Sequence, residues 1–229
     1  MSKSVPVIDR PQVLIEGDRL DQRTFHACYE AMPTGTRAEL IGGVVFMPGP
    51  VGRSHGQAHA AVIFWLSDYA EGTPGVEVLD NATTILGTKS EPQPDALLRV
   101  LPENGGQTVT ERGYIRGAPE LIAEISQTTR YVDLGPKLAD YEQAGVREYI
   151  VRGFKPDDVH WFEQVQGALV EKPVDADGLY RSRIFPGLWL DPDALVRGDT
   201  RRLRAVLDEG LATPEHAAHV VQLKTRGGP

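Results

Sequence analysis

Cysteine is nearly absent from this chain: Cys28 is the single one among 229 residues. An intramolecular disulfide is therefore impossible, and a cluster of thiolate metal ligands is excluded. In "TFHACYEAM" this residue reads as a small core side chain. His26, two positions away, points elsewhere on a helix and is not placed to activate a nucleophile. Long hydrophobic runs are lacking as well. No stretch approaches the roughly 20 apolar residues that a membrane-spanning helix requires. The opening residues "MSKSVPVIDRPQ" carry neither an apolar segment of the secretory kind nor an arginine-rich amphipathic pattern, so the expected location is cytoplasmic, with no membrane partner. Positive charge is in deficit too, with 24 Lys and Arg against 32 Asp and Glu and a net charge of −8. That balance argues against broad coating of nucleic acid through many phosphate contacts. It leaves room for acidic residues that hold a divalent cation, because the ion reverses the local field. There is no internal repeat, no low-complexity tract, and no helix-turn-helix or zinc-finger spacing.

What is present is ordinary for one folded unit: 41% hydrophobic and 24% charged residues, enough to bury a core without staples. "DQRTFHACYEAM" (21–32) predicts a short helix. "ELIGGVVFMP" (39–48) predicts a buried strand, or two joined at Gly42-Gly43. Ser54 and Gln57 form an S-x-x-Q capping box ahead of Ala58, Ala61, Val62, Trp65, Leu66 and Tyr69, the spacing of an amphipathic helix ending near Gly72. Short strands follow at "VEVLD", "ATTIL" and "ALLRV". The segment from Pro102 to Gly117 reads as an exposed loop, and "PELIAEIS" as a buried strand. Asp133 is placed to cap the next helix, with Pro136 in its first turn and Leu134, Leu138 and Tyr141 on one face until Gly145 ends it. "REYIVR" is a further strand, "VHWFEQVQGALVEK" a hairpin turning at Gln166-Gly167, and "RIFPGLWLD" the strand expected to close the sheet. The order implies an α/β fold with a central mixed β-sheet flanked by helices (1–196) and a C-terminal helical extension (197–229). In that extension Leu203, Val206, Leu207 and Leu211 have the spacing of a docking face. Arg197, Arg201, Arg202 and Arg204 give the alternative of a basic phosphate-contacting arm.

Four residues stand out chemically: Glu39, Asp95, Glu124 and Lys137. Pro94 cannot donate to a ladder and suits the opening of a strand, so Asp95 is expected where that strand leaves the core. Glu124 lies within apolar "LIAEIS", where an unpaired carboxylate costs several kcal/mol or shifts its pKa. A divalent cation satisfies both acids, since Mg²⁺ takes one or two carboxylates and leaves its other positions to water and phosphate oxygens. Lys137, read in a first helical turn where the dipole disfavours cations, calls for an anionic neighbour. Read singly, each has a plainer explanation: a turn cap for Asp95, arginine partners for Glu39 and Glu124, solvent for Lys137. His55 and His59 have the i, i+4 spacing of a helical metal pair. Without an H-E-x-x-H pattern or an obvious third ligand they are read as no zinc site, with His55 lining the site or capping the helix and His59 at the surface or in packing.

The ordered set Glu39-Leu40-Ile41-Gly42-Gly43, Ser54-His55-Gly56, Pro94-Asp95, Glu124-Ile125-Ser126, Asp133, Lys137, Tyr141 and "AGVREYIV" resembles the Uma-two family of restriction-endonuclease-like proteins, within the PD-(D/E)XK nuclease superfamily, over roughly residues 15 to 196. The resemblance implies a restriction-endonuclease-like core in which Asp95 and Glu124 bind Mg²⁺ or Mn²⁺, Glu39 is an auxiliary acid and Lys137 the active-site lysine. The superfamily's usual lysine follows the glutamate by two positions; Ser126 stands there, so the role passes to Lys137. Gln93 is expected either to reach substrate or to satisfy strand backbone, and His55 to line the substrate site. The function so implied is metal-dependent phosphodiester hydrolysis, with nucleic acid, in the first place DNA, as substrate and a homodimer as the means of cutting both strands. An inactive nuclease-fold interaction protein and a hydrolase of smaller phosphate esters are the alternatives.

Overall fold

The computed structural model describes residues 13–228. Asp21 caps α1 (Gln22–Glu30), its carboxylate accepting from the Thr24 N–H at 2.8 Å. β1 (Glu39–Ile41) and β2 (Val44–Phe46) form a hairpin. Gly42 and Gly43 both have positive φ there, 58° and 80°, as a two-residue turn of this hand demands. α2 (Arg53–Gly72) is followed by β3 (Val76–Asp80), β4 (Thr84–Ile85) and β5 (Ala96–Val100). Next come β6 (Val109–Glu111), β7 (Tyr114–Arg116) and β8 (Leu121–Ile125). α3 (Arg130–Val132) runs through a π-helical turn at Asp133–Lys137 into α4 (Leu138–Ala144). The chain then builds β9 (Glu148–Arg152), β10 (Val159–Val165), β11 (Ala168–Lys172), β12 (Tyr180–Arg181) and β13 (Trp189–Leu190). It ends in α5 (Pro192–Arg197), α6 (Thr200–Leu211) and α7 (Pro214–Gly227).

The centre is a six-stranded sheet in the order β11-β10-β9-β8-β5-β3. It is mixed: β8 and β9 run parallel, and the other neighbours antiparallel. Alternation along the strands divides the core into two faces. Ala96, Leu98, Ala123 and Ile125 face α2, where Trp65, Leu66 and Tyr69 are fully buried, while Leu97 and Ile122 face Tyr141 and Tyr149 on the side covered by α4. Trp65 also donates its indole N–H to the Trp189 carbonyl at 2.9 Å, so its ring is buried without an orphaned donor. No helix among the described residues is long and apolar enough to cross a membrane.

Several expectations are corrected. The segment from Pro102 to Gly117 is not all loop: β6 and β7 pair there, and β7 lies parallel to β4 in a three-stranded sheet. "RIFPGLWLD" does not close the central sheet; β13 pairs with β12 in a separate ribbon. Ser54 does not cap α2, which starts one residue earlier behind Gly52; its hydroxyl instead accepts from the Gln127 amide at 3.0 Å. Asp133 caps nothing, because the helix has already begun at Arg130. In the tail, α6 buries Leu203, Val206 and Leu207 and packs against α2. Two of its arginines pair within the fold, Arg202 with Asp191 and Arg204 with Asp68.

Candidate active site

The site is built on the register of two antiparallel strands. Ala96 lies opposite Ala123, so the residue before β5 and the fourth residue of β8 stand side by side on one face. These are Asp95 and Glu124, which share the face of Leu97 and Ile122. The Asp95 N–H points at Glu124 Oε2 at 3.4 Å, and Asp95 Oδ2 accepts the Ile125 N–H at 2.8 Å. Asp95 thus has one carboxylate oxygen fixed by backbone, while Oδ1 stands 3.3 Å from His55 Nε2 near the start of α2. The Asp95 carbonyl accepts from His59 Nε2 at 2.6 Å.

Lys137 reaches the same place from the helical side. Its Nζ is 2.9 Å from Glu124 Oε1 and 3.1 Å from Glu39 Oε1, and all three side chains are buried. An anion beside Lys137 is what its sequence position required, but the first-turn reason does not hold, since Lys137 closes a π-helical turn in the interior of the helical segment. Such turns shift a helix face by the width of one residue. Four residues further on, Tyr141 shares that face and donates its hydroxyl to the same Glu124 oxygen at 2.8 Å. Glu39 is steadied by the Gln93 N–H at 2.7 Å, and the Gln93 amide donates to Tyr29 and Thr83 at 2.7 and 3.1 Å.

Burial dominates the electrostatics. It pushes the Glu124 carboxyl well above its ordinary range; Lys137 opposes this, and the negative neighbours Asp95, Asp133 and Glu39 reinforce it. Asp95 goes the other way. Burial is again the largest single influence and would raise it, but the His55 contact, the Ile125 N–H and Lys137 together outweigh burial and hold it below the usual value. Burial alone would lower Lys137, yet Glu124, Glu39 and Asp133 more than reverse that, so the ammonium is held charged. Asp133 is raised by burial, against Lys137 and the Thr129 hydroxyl that donates to it at 2.6 Å. Burial and the neighbouring charges thus shift the two central carboxyls in opposite directions.

All six residues singled out from the sequence, Glu39, His55, Gln93, Asp95, Glu124 and Lys137, line one cleft of about 510 Å³. Sequence reasoning missed the parts played by Asp133 and Tyr141, read as a cap and a core residue, and by His59. The signal was available in part: Asp133, Lys137 and Tyr141 recur at intervals of four, one polar stripe along one helical face. The donors fit a divalent cation of the hard, oxygen-seeking kind. Asp95 Oδ1 has no backbone donor on it, and Glu124 Oε2 has only a long contact, so each acid keeps an oxygen to offer.

A mixed sheet with three carboxylates and a buried lysine gathered at one cleft defines a protein of restriction-endonuclease-like architecture. The sequence pattern of the Uma2 family, described as "Putative restriction endonuclease", matches residues 24–193, and the chain belongs to that family. Among solved structures it is similar to a putative nuclease belonging to DUF820 from Anabaena variabilis, at 16% identity and a TM-score of 0.54, over 74% of this chain and 96% of that one. That likeness is one of fold. No curated protein matches the chain.

Proposed function

We propose that this protein is a metal-dependent nuclease of the PD-(D/E)XK kind that hydrolyses phosphodiester bonds of nucleic acid, in the first place DNA. The observation that carries the reading is the meeting of Lys137 with Glu124 and Glu39, at 2.9 and 3.1 Å, beside Asp95 in a single cleft. Asp95 and Glu124 would hold Mg²⁺ or Mn²⁺, which when bound supplies Lewis-acid charge against the negative charge building on the phosphoryl oxygens. The chain's own residues do the rest. The Ile125 N–H fixes Asp95, and Tyr141 and Lys137 fix Glu124, so neither acid must reorganise when substrate arrives. The Lys137 ammonium, held charged, orients the attacking water and offsets charge on the five-coordinate transition state. Glu39 keeps that ammonium in place, while Gln93 and His55 form the walls that meet substrate. Water adds to phosphorus in line with the leaving oxygen, the bond to that oxygen breaks, and a phosphomonoester and a free hydroxyl result. We place the reaction in the cytoplasm, with a homodimer making paired cuts.

The test is cleavage of labelled DNA with Mg²⁺ or Mn²⁺ by the native chain, Asp95→Ala and Lys137→Met. Loss of one preorganised charged group costs at least about 100-fold; equal cleavage by all three chains removes the assignment. One observation favours a second reading. The cleft is lined by Glu16, Glu39, Asp95, Glu124 and Asp133 against Arg37 and Lys137, a balance that repels a polyanion. An inactive scaffold, or a hydrolase of small phosphate esters, accords with that. Absence of Mg²⁺ and Mn²⁺ uptake in calorimetry supports the scaffold, and cleavage of small chromogenic diesters but not of oligonucleotides supports the small-ester enzyme.

A further inference from the structure

We propose that His55 is a third protein ligand of the cation, through Nε2, and that the site therefore selects Mn²⁺ or another first-row transition ion over Mg²⁺. This rests on the reading that Asp95 and Glu124 hold a divalent ion. Donor atoms of His55, His59 and Asp95 all lie within 4.8 Å of one another, a set that by itself suggests two histidines and one carboxylate. The hydrogen bonds separate the two histidines. His59 Nε2 lies 2.6 Å from the main-chain carbonyl of Asp95 and 3.1 Å from Asp80 Oδ1. A carbonyl oxygen only accepts, so His59 Nε2 carries the proton and has no lone pair to give. His59 is a positioning residue that holds the Asp95 backbone.

His55 is committed only to Asp95 Oδ1, the oxygen that would share the ion, and a cation between them would displace its Nε2 proton. Its Nε2 stands 3.3 Å from Asp95 Oδ1, longer than the usual hydrogen bond between nitrogen and oxygen. That oxygen is the one the backbone leaves open, because Oδ2 takes the Ile125 N–H. Two donors each ~2.1 Å from one ion and at right angles stand ~3 Å from each other. The observed separation is close to that of neighbouring ligands. Mg²⁺ is served by oxygen donors, whereas an imidazole nitrogen favours transition ions; Mn²⁺ accepts both.

The experiment uses the metal-free full chain and the metals alone. Pulsed electron paramagnetic resonance on the Mn²⁺-loaded protein should show nitrogen modulation from a directly bound imidazole. It should be lost in His55→Ala and kept in His59→Gln. Calorimetry should give Mn²⁺ binding about tenfold or more weaker in His55→Ala, a loss of the size seen when groups around a metal are removed, with Mg²⁺ affinity changed less than about threefold. Circular dichroism of the metal-free variants checks their fold, and the native protein's spectrum decides the matter if His55→Ala does not fold. Mn²⁺ uptake by the native chain without nitrogen modulation, or modulation that survives in His55→Ala, overturns the ligand assignment and leaves the nuclease reading standing. If the native chain takes up neither metal, both fall together.

Discussion

Replacing Lys137 by methionine keeps the length of the side chain and removes its charge from between two buried acids. Lys137, Glu124 and Glu39 are 7%, 4% and 9% exposed at the side chain, so water cannot replace the lost partner. Removing one member of a buried ion pair costs about 3–5 kcal/mol, because it leaves a charge uncompensated. In a domain of this size that is a fall of roughly 6–20 °C in melting temperature. The loss should depend on pH in a definite sense. Burial already raises Glu124 above its unfolded value of 4.5, and loss of Lys137 raises it further. A raised acid binds its proton more tightly folded than unfolded, so its contribution is fully present below the unfolded pKa and is lost as pH rises through the folded one. The deficit should be larger at pH 8 than near pH 5, because lower pH favours the protonated Glu124 carboxyl, which has no charge left for Lys137 to compensate. Urea unfolding followed by circular dichroism at both pH values measures this. A variant as stable as the native protein at pH 8, or one equally impaired at pH 5, would refute the coupling of Lys137 to Glu124.

Two further predictions concern the scaffold. Glu148 on β9 is wholly buried; burial raises its carboxyl to about 7, against hydrogen bonds from Ser182 and the Arg183 N–H. Its contribution is present below about 4.5 and is lost as pH rises through about 7, a change of roughly 3 kcal/mol across that window. Glu148→Gln should flatten that part of the stability profile in urea titrations at pH 5 and 8; an unchanged slope would exclude Glu148 as its source. At the seat of α6, a Cβ on Gly210 would collide with the Gly187 carbonyl and lie 2.9 Å from the Trp189 ring. Gly210→Ala should therefore cost about 1–3 kcal/mol through overpacking, read as a lower urea midpoint, whereas a neutral result would mean that α6 is not seated there.

Local chemistry made much of the fold legible from the chain. Gly42-Gly43 and Gln166-Gly167 at hairpin turns, and Gly145 behind α4, each act within a few residues, and the structure uses each of them as a boundary. Helix α2 was visible from its apolar spacing, but its start was misplaced by the Ser54 pattern, since Gly52 takes the cap. The hairpin of β6 and β7 was hidden because Val109, Thr110, Glu111 and Arg116 are exposed and only Ile115 is buried, so neither three-residue strand shows a period-two apolar pattern. Its pairing is set by β4, which lies well upstream in the chain. The π-helical turn was equally hidden, because Pro136 and Asp133 have the composition of a helix start and nothing local reveals that helical backbone is already in place at Arg130.

The sequence by itself determined the residue types of the site and the elements that carry them: an acid after Pro94, an acid within an apolar strand, a lysine on the helix beyond it, and an acid opening a Gly-Gly hairpin. Only the tertiary structure decided how they meet. Strand register sets Asp95 against Glu124, the π-helical turn brings Lys137 and Tyr141 to one carboxylate oxygen, and the start of α2 lays His55 beside Asp95. The reason is physical: propensity, capping and turn chemistry act over a few residues, whereas these contacts join positions far apart in the chain and exist only after the sheet and its helices have packed.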